Sequence, residues 1–248
     1  MSFSLQGRVV VVTGATSGIG KATAERFTAA GARVVGTGRD QARLGALAVD
    51  LPLTLDVSDP ESVELATATV LDRYGGVDIL VNNAGIGLFE PWERTSDAQL
   101  RRVMEVDFFG AVGVARAFLP SLIERKGVLV QVASVAGKRG YARHTAYCAA
   151  KHALIGWSEG VRNDLAGTGC DVVVVCPPAV RTPFFENAGY HTFDEDHPGL
   201  VPMTADAVAD GILDATVHRR RQVILSPRAK LLYGLSVVAP GLLDRIRR

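Results

Sequence analysis

Tyr147 and Lys151 stand four residues apart in a segment, 146–165, that reads as a helix. That spacing puts both side chains on one face, one turn apart. A phenol with a pKa of roughly 10 is a poor base near neutral pH. A neighbouring ammonium favours its phenolate form. Lowering the pKa by about three units takes roughly 4 kcal/mol, part of which a buried, preorganised cation can supply. Ser134 follows the apolar run Val128 to Ala133, at the carboxyl end of an expected strand. Ligands of open α/β sheets bind at that end. The three groups together suit proton transfer to or from a substrate oxygen. Taken alone, a tyrosine and a lysine at this spacing form an ordinary surface pair, so the surrounding elements must decide.

Those elements alternate. Apolar, β-branched runs occur at Arg8–Thr13, Arg33–Thr37, Leu53–Leu55, Ile79–Val81, Val128–Val132, Val172–Cys176 and Gln222–Leu225. Continuous rather than alternating apolar runs suit strands buried on both faces, as in a parallel sheet. Helix-length segments lie between them, such as Gly18–Ala30 and Asp97–Leu119. The repetition reads as one doubly wound α/β domain covering residues 1–248, with no linker or repeat. Hydrophobic residues make up 48% of the chain, enough for a sizeable core, and the formal net charge of +1 gives no sign of a nucleic-acid partner. Three cysteines, Cys148, Cys170 and Cys176, lack metal-like spacing and suit a reducing, cytoplasmic setting. Neither a secretory leader nor an apolar run of spanning length is expected.

The turn after the first strand reads Thr13-Gly14-Ala15-Thr16-Ser17-Gly18-Ile19-Gly20. Gly14 can take a tight turn, Gly18 admits backbone to a pyrophosphate, and Gly20 lets the helix pack closely on the sheet. Free N–H groups at the helix start, including those near Thr16, Ser17 and Ile19, would face the phosphates. The second strand ends in Gly38-Arg39 rather than in a carboxylate. Arginine is a strong phosphate partner, so NADP is favoured. Asp40 follows directly and keeps NAD open. Asp56, before Val57, either accepts from the adenine amino group or caps the next helix. Asn82-Asn83-Ala84-Gly85 closes the fourth strand, where the asparagines brace the sheet edge or simply make a turn.

These motifs in this order resemble those of the short-chain dehydrogenase/reductase family, of the short single-domain type. The resemblance rests on Thr13-Gly14-x3-Gly18-x-Gly20, on Asn82-Asn83-Ala84-Gly85 and on Ser134-x12-Tyr147-x3-Lys151, and it covers nearly the whole chain. Pro177, Val180 and Thr182 resemble the cofactor-contacting segment of that family. The resemblance implies a Rossmann fold with a seven-stranded parallel sheet flanked by helices. It implies that Tyr147 is the general acid in reduction and the base in oxidation, that Ser134 orients the substrate oxygen, and that Lys151 lowers the Tyr147 pKa and holds the nicotinamide ribose. It also implies a homodimer or homotetramer. The function expected is interconversion of a carbonyl and an alcohol on a lipophilic small molecule. A non-catalytic NADP(H)-binding sensor or scaffold is the alternative, against which the intact triad argues.

Two positions depart from the family pattern. Asp107 stands where similar enzymes usually place an asparagine that supports a relay water. Helical spacing from Leu100 through Met104 to Ala111 sets Asp107 on or beside the apolar stripe, where a carboxylate needs a partner. It either keeps the relay, pairing with Lys151, or bonds to backbone. Pro178 replaces a usual glycine and stiffens the segment. Elsewhere, 184–203 is a candidate lid rich in aromatics, and His191 and His197 within it lack metal-like spacing. The tail 231–248 is apolar with a basic end, suited to roofing the pocket, a subunit contact or a membrane surface. Phe109 and Val112 suggest a subunit contact. Arg219-Arg220-Arg221 reads as a solvated loop, and Cys148 as a packing residue.

Overall fold

The computed structural model describes residues 4–188 and 202–239. Seven strands form one sheet: β1 (Val9–Val12), β2 (Arg33–Gly38), β3 (Leu51–Thr54), β4 (Ile79–Asn82), β5 (Val128–Val132), β6 (Asp171–Cys176) and β7 (Gln222–Ile224). Their spatial order is β3-β2-β1-β4-β5-β6-β7 and every pairing is parallel. The order reverses between β1 and β4, and a doubly wound sheet opens a ligand crevice beyond the carboxyl ends of its strands there. Gly14, Asn83 and Ser134 all follow strands at that end.

The valine runs are continuous because both faces of the sheet are covered. Val10 and Val12 point into a core with Phe27 from α1 (Gly18–Ala29) and Ile212 from the helix Ala205–Val217. Val9 and Val11 point the other way, toward Val70 of α3 (Pro60–Tyr74), which follows the short α2 (Gln41–Gly45), and toward Phe118 and Leu122 of the helix Ala111–Glu124. Local signals set the helix ends. Asp59 caps α3 by accepting from the Glu61 N–H at 3.1 Å, Pro60 follows, and Gly75 closes it at φ +67°. Ser96 and Gln99 form a reciprocal capping box at the start of Asp97–Met104.

The expected helix 97–119 extends to Glu124 and is not regular. A π-turn over Glu105–Gly110 separates Asp97–Met104 from Ala111–Glu124. The whole run, Asp97–Glu124, is long and apolar enough to cross a membrane by length and composition, contrary to the sequence expectation. Val114, Ala115, Phe118 and Leu122 pack on the domain, so this is a core helix. The arginine triplet is a loop before β7 with Arg220 and Arg221 exposed, as its reading has it, but Arg219 is anchored. Arg219 pairs with Asp171 at 2.6 Å and donates to the carbonyls of Gly169 and Lys126, while Arg220 meets Asp214 at 3.0 Å. At the opposite edge from the crevice, buried Asp78 accepts from Arg8 at 2.7 Å and from the Val9 N–H at 2.9 Å, with Arg125 at 3.5 Å.

Of the candidate lid, Pro183–Asn187 is a short helix, and 189–201, with His191 and His197, lies outside the described residues. Of the tail, Pro227–Val238 is a helix, and 240–248 lies outside them.

Candidate active site

Helix Thr145–Asp164 carries Tyr147 and Lys151 on the face that meets the end of β5. Ser134 sits just beyond β5 in extended backbone, and its Oγ accepts from the Ala136 N–H at 3.1 Å. That bond fixes the serine rotamer beside Tyr147, where the serine side chain favours the phenolate. Lys151 is buried, with Nζ 5.6 Å from the centre of the Tyr147 ring and 3.5 Å from the Val132 carbonyl. The sequence-predicted trio is therefore assembled at the carboxyl edge of the sheet.

Asp107 joins it. The carboxylate is 0% exposed, and its Oδ2 lies 3.1 Å from Lys151 Nζ. Oδ2 is outside good hydrogen-bond alignment with any donor, so the contact is an ion pair held by proximity. Oδ1 accepts from the Ile86 N–H at 2.7 Å. Both partners weighed for Asp107 are present, the lysine on one oxygen and backbone on the other. Gly85 leaves room for this approach: a Cβ there would stand 3.0 Å from Oδ2, and the carboxylate would have to give way slightly.

The electrostatics follow from burial. Burial pushes the Tyr147 phenol above its ordinary value of 10.0, Lys151 and the Ser134 hydrogen bond pull it down, and Asp107 adds to the rise. The net direction is upward, whereas the family resemblance led to the expectation of a lowered value. Lys151 does favour the phenolate, but less than burial disfavours it. For Lys151 itself, burial works against the charge, yet Asp107 and Tyr147 outweigh burial and hold the ammonium above 10.5. Burial raises the Asp107 carboxyl above 3.8, with Lys151 and the Ile86 N–H opposing. A pair this close titrates as a unit, and the contact of 3.1 Å favours the ammonium form of Lys151.

The glycine turn fits a dinucleotide. Gly14 and Gly18 take φ of +66° and +52°. A Cβ on Gly20 would lie 2.1 Å from the Gly14 carbonyl oxygen. Ser17 makes no side-chain cap and the first turn of α1 has no acid, so its N–H groups are left for an anion. The turn is tied to β4. Thr13 Oγ1 accepts from the N–H groups of Asn83 at 2.9 Å and Ala84 at 3.0 Å, and Asn83 Nδ2 donates to the Thr13 carbonyl at 2.9 Å. This is the bracing role considered for the asparagines. Asn82 donates to the Ala111 carbonyl at 2.8 Å. Thr182 comes from the segment after β6 and would stand 3.1 Å from a Cβ on Gly18. Val180 is buried and bridges to Met203, and the Pro177 carbonyl accepts from the Val135 N–H at 3.0 Å.

Thr16 packs over the end of β2, where its Cγ2 would be 2.5 Å from a Cβ on Gly38. Exposed Arg39 lies 3.9 Å from Asp56 Oδ2. Asp40 is engaged elsewhere: its Oδ1 caps the helix Gln41–Gly45 through the Arg43 N–H at 3.1 Å, and its Oδ2 meets the Arg43 side chain at 3.1 Å. Asp56 does not cap the next helix, because Asp59 does. Its Oδ1 instead accepts from the Ser58 N–H at 2.9 Å and hydroxyl at 2.7 Å. Burial works against the Asp56 charge, but the Ser58 bonds and Arg39 prevail and hold its carboxyl low. Val57 presses its carbonyl on Gly110, within 2.8 Å of where a Cβ would be.

The substrate side is aromatic. Tyr147 is 5.7 Å from Phe184 and 6.0 Å from Phe89, ring centre to ring centre. Phe89 stacks on Phe185 at 5.4 Å and meets His144 at 4.4 Å. Phe184 and Phe185 belong to the candidate lid. Phe89, His144 and Ile86 are not marked by the sequence, and Thr13 is marked there only as part of the glycine turn, not for its tie to Asn83 and Ala84. Cys148 is buried, and burial pushes its thiol up, which agrees with a packing role. Phe109 is 54% exposed.

The model of the family described as short chain dehydrogenase matches residues 8–191. Dehydrogenase/reductase SDR family member 7B of Mus musculus is 34% identical, over 98% of this chain and 80% of that protein. A short-chain dehydrogenase/reductase from Burkholderia phymatum, solved with NAD, superposes with a TM-score of 0.86 at 25% identity, covering 97% of this chain and 96% of that one. One from Burkholderia cenocepacia, solved with NADP, also gives 0.86 at 25%, covering 98% of each chain. A family model spanning most of the chain, together with fold and order of motifs, makes this protein a member of the short-chain dehydrogenase/reductase family of NAD(P)-dependent oxidoreductases.

Proposed function

We propose that the protein interconverts a carbonyl and an alcohol on a lipophilic substrate with NADP(H), using Tyr147 as the general acid and base. The observation that carries this reading is the continuous series Ser134, Tyr147, Lys151 and Asp107 beside the glycine turn. In the reductive direction burial and Asp107 keep Tyr147 as a phenol, so it has a proton to give. Ser134 holds the substrate oxygen beside that hydroxyl. Lys151 offsets the charge that develops on the phenolate, and Asp107 keeps Lys151 charged for the task. In the oxidative direction the same groups act in reverse, with Tyr147 accepting the proton.

The turn from Gly14 to Gly20 would hold the pyrophosphate, with Asn83, Ala84, Gly85, Val180 and Thr182 along its flank. Lys151 would hold the nicotinamide ribose, and the bound nicotinamide supplies the hydride. NADP is favoured because Asp40, the first acid after β2 in the sequence, is bound to its own helix, while Arg39 is exposed and only loosely paired. A lipophilic substrate fits the rings of Phe89, Phe184 and Phe185 around Tyr147. A homo-oligomer is supported by exposed Phe109.

The test is Tyr147→Phe, with NADPH oxidation followed across a panel of lipophilic ketones and aldehydes. Loss of general acid catalysis should lower turnover by about 10²–10⁴-fold while NADPH still binds. Unchanged turnover would overturn the assignment of Tyr147.

A further inference from the structure

The helix Pro227–Val238 departs from the usual pattern of a surface helix, being apolar on its outer face as well as its inner one. Such helices turn polar residues to solvent. Here the outer face carries Lys230, Leu231, Gly234, Val237 and Val238, and none of the helix is fully buried. Leu231 is 74%, Val237 63% and Val238 85% exposed, half of the large apolar side chains so exposed among the described residues. The inner face, with Leu232 and Tyr233, closes a hollow against Val135 and Tyr141 just past Ser134. Lys138 Nζ sits 5.5 Å from the Tyr233 ring. The helix therefore stands close to the Ser134 end of the site, with its outer face exposed among the described residues.

Charge separates along the chain in the same place. Residues 219–248 contain eight Arg and Lys against one Asp, whereas residues 1–218 contain 19 against 25. From Arg219 to Leu243 there is no acid at all. Arg219 and Arg220 are paired with Asp171 and Asp214. Arg228 and Lys230 are exposed on the helix itself. In the sequence, Leu242 and Leu243 follow, then Arg245, Arg247 and Arg248.

We infer that this helix docks the enzyme on an anionic lipid surface. Apolar side chains would enter the boundary between headgroups and acyl chains, and the flanking cations would meet lipid phosphates. A second copy is the poorer occupant. A two-fold contact through this face would bring its own cations together. An anionic bilayer offers both the apolar layer and the opposite charge. Docking needs no assumption about the substrate, though it would set the rim of the site against the bilayer.

The test uses the full chain and vesicles, pelleted together. One set is phosphatidylcholine alone and the other phosphatidylcholine with phosphatidylserine at about 7:3. The protein should pellet with the anionic vesicles, and binding should fall as salt rises. Arg228→Gln with Lys230→Gln should weaken partitioning about thirtyfold, equivalent to about 1 kcal/mol per cation. Leu231→Ser with Val238→Ser should abolish it. Both variants should melt like the parent, because all four side chains are exposed, and should turn over a water-soluble carbonyl at the parental rate. Equal partitioning on both vesicle types, no binding to either, or retention on a DNA column in place of vesicles would overturn the inference. So would a dimer that the Leu231→Ser, Val238→Ser variant dissolves in the absence of lipid.

Discussion

Asp107→Asn probes the buried pair behind the catalytic tyrosine. At 3.1 Å, two unit charges attract by about 5 kcal/mol at an effective dielectric of about 20. Burial of both side chains offsets part of that, and removing one partner of such a pair costs about 3–5 kcal/mol. Asparagine keeps an oxygen for the Ile86 N–H but places no charge beside Lys151. The melting temperature should therefore fall by roughly 6–20 °C near neutral pH. The sign of its pH dependence follows from Lys151. Its value in the folded enzyme is raised above 10.5, so its stabilising contribution is complete below pH 10.5 and fades as pH rises through the folded value. The gap between parent and variant should be widest near neutrality and close at higher pH. Activity should shift as well. Without Asp107, Lys151 loses the strongest influence that raises it, and Tyr147 loses one of the influences that raise it. Both changes move the alkaline limit of carbonyl reduction to lower pH, with at least tenfold lower turnover at the parental optimum, about 1.4 kcal/mol. Melting curves and pH–rate profiles of the two proteins, measured side by side, check this. A variant melting within about 2 °C of the parent at neutral pH, with the same profile, would refute the positioning role.

Three further outcomes test other parts of the structure. Arg39→Ala should weaken NADPH binding by roughly 10–100-fold, the worth of a charge-assisted hydrogen bond, and leave NADH unchanged; titration by fluorescence would show equal losses if Arg39 is only a surface charge. Gly20→Ala puts a Cβ 2.1 Å from the Gly14 carbonyl oxygen, so cofactor binding should be lost, and parental affinity would contradict the geometry of the turn. Asp78→Ala removes the acceptor of the buried Val9 N–H at the edge remote from the site and should cost about 1–3 kcal/mol in urea unfolding, with KM unaltered below the transition.

Much of the fold was legible because the strands are runs of valine. A run such as Val9–Val12 has few other uses than a strand covered on both faces. Tyr147, Lys151 and Ser134 were legible from spacing and from position at a strand end. The π-turn was not, because an apolar stripe is counted at 3.6 residues per turn and one wider turn shifts every later position. The burial of Asp107 could be foreseen from its stripe, but its distance from Lys151 depends on how two helices pack. Phe89 and His144 lie outside any periodic segment, so nothing in their spacing marks them. The direction of the Tyr147 shift also lay beyond the sequence, since it turns on desolvation against a cation whose depth the chain order does not report.

The π-turn has a consequence for how this enzyme can change over generations. Upstream of it, Leu100, Val103 and Met104 pack with Ala146 and Ala150 of the catalytic helix. Downstream, Val114, Phe118 and Leu122 pack with the sheet and α3. A regular helix would lock these two neighbourhoods into one phase, so that a change suiting one disturbs the other. The wider turn breaks that phase relation at Asp107. Residues near the reaction centre can thus be exchanged by selection while the foundation of the fold keeps the packing it already has.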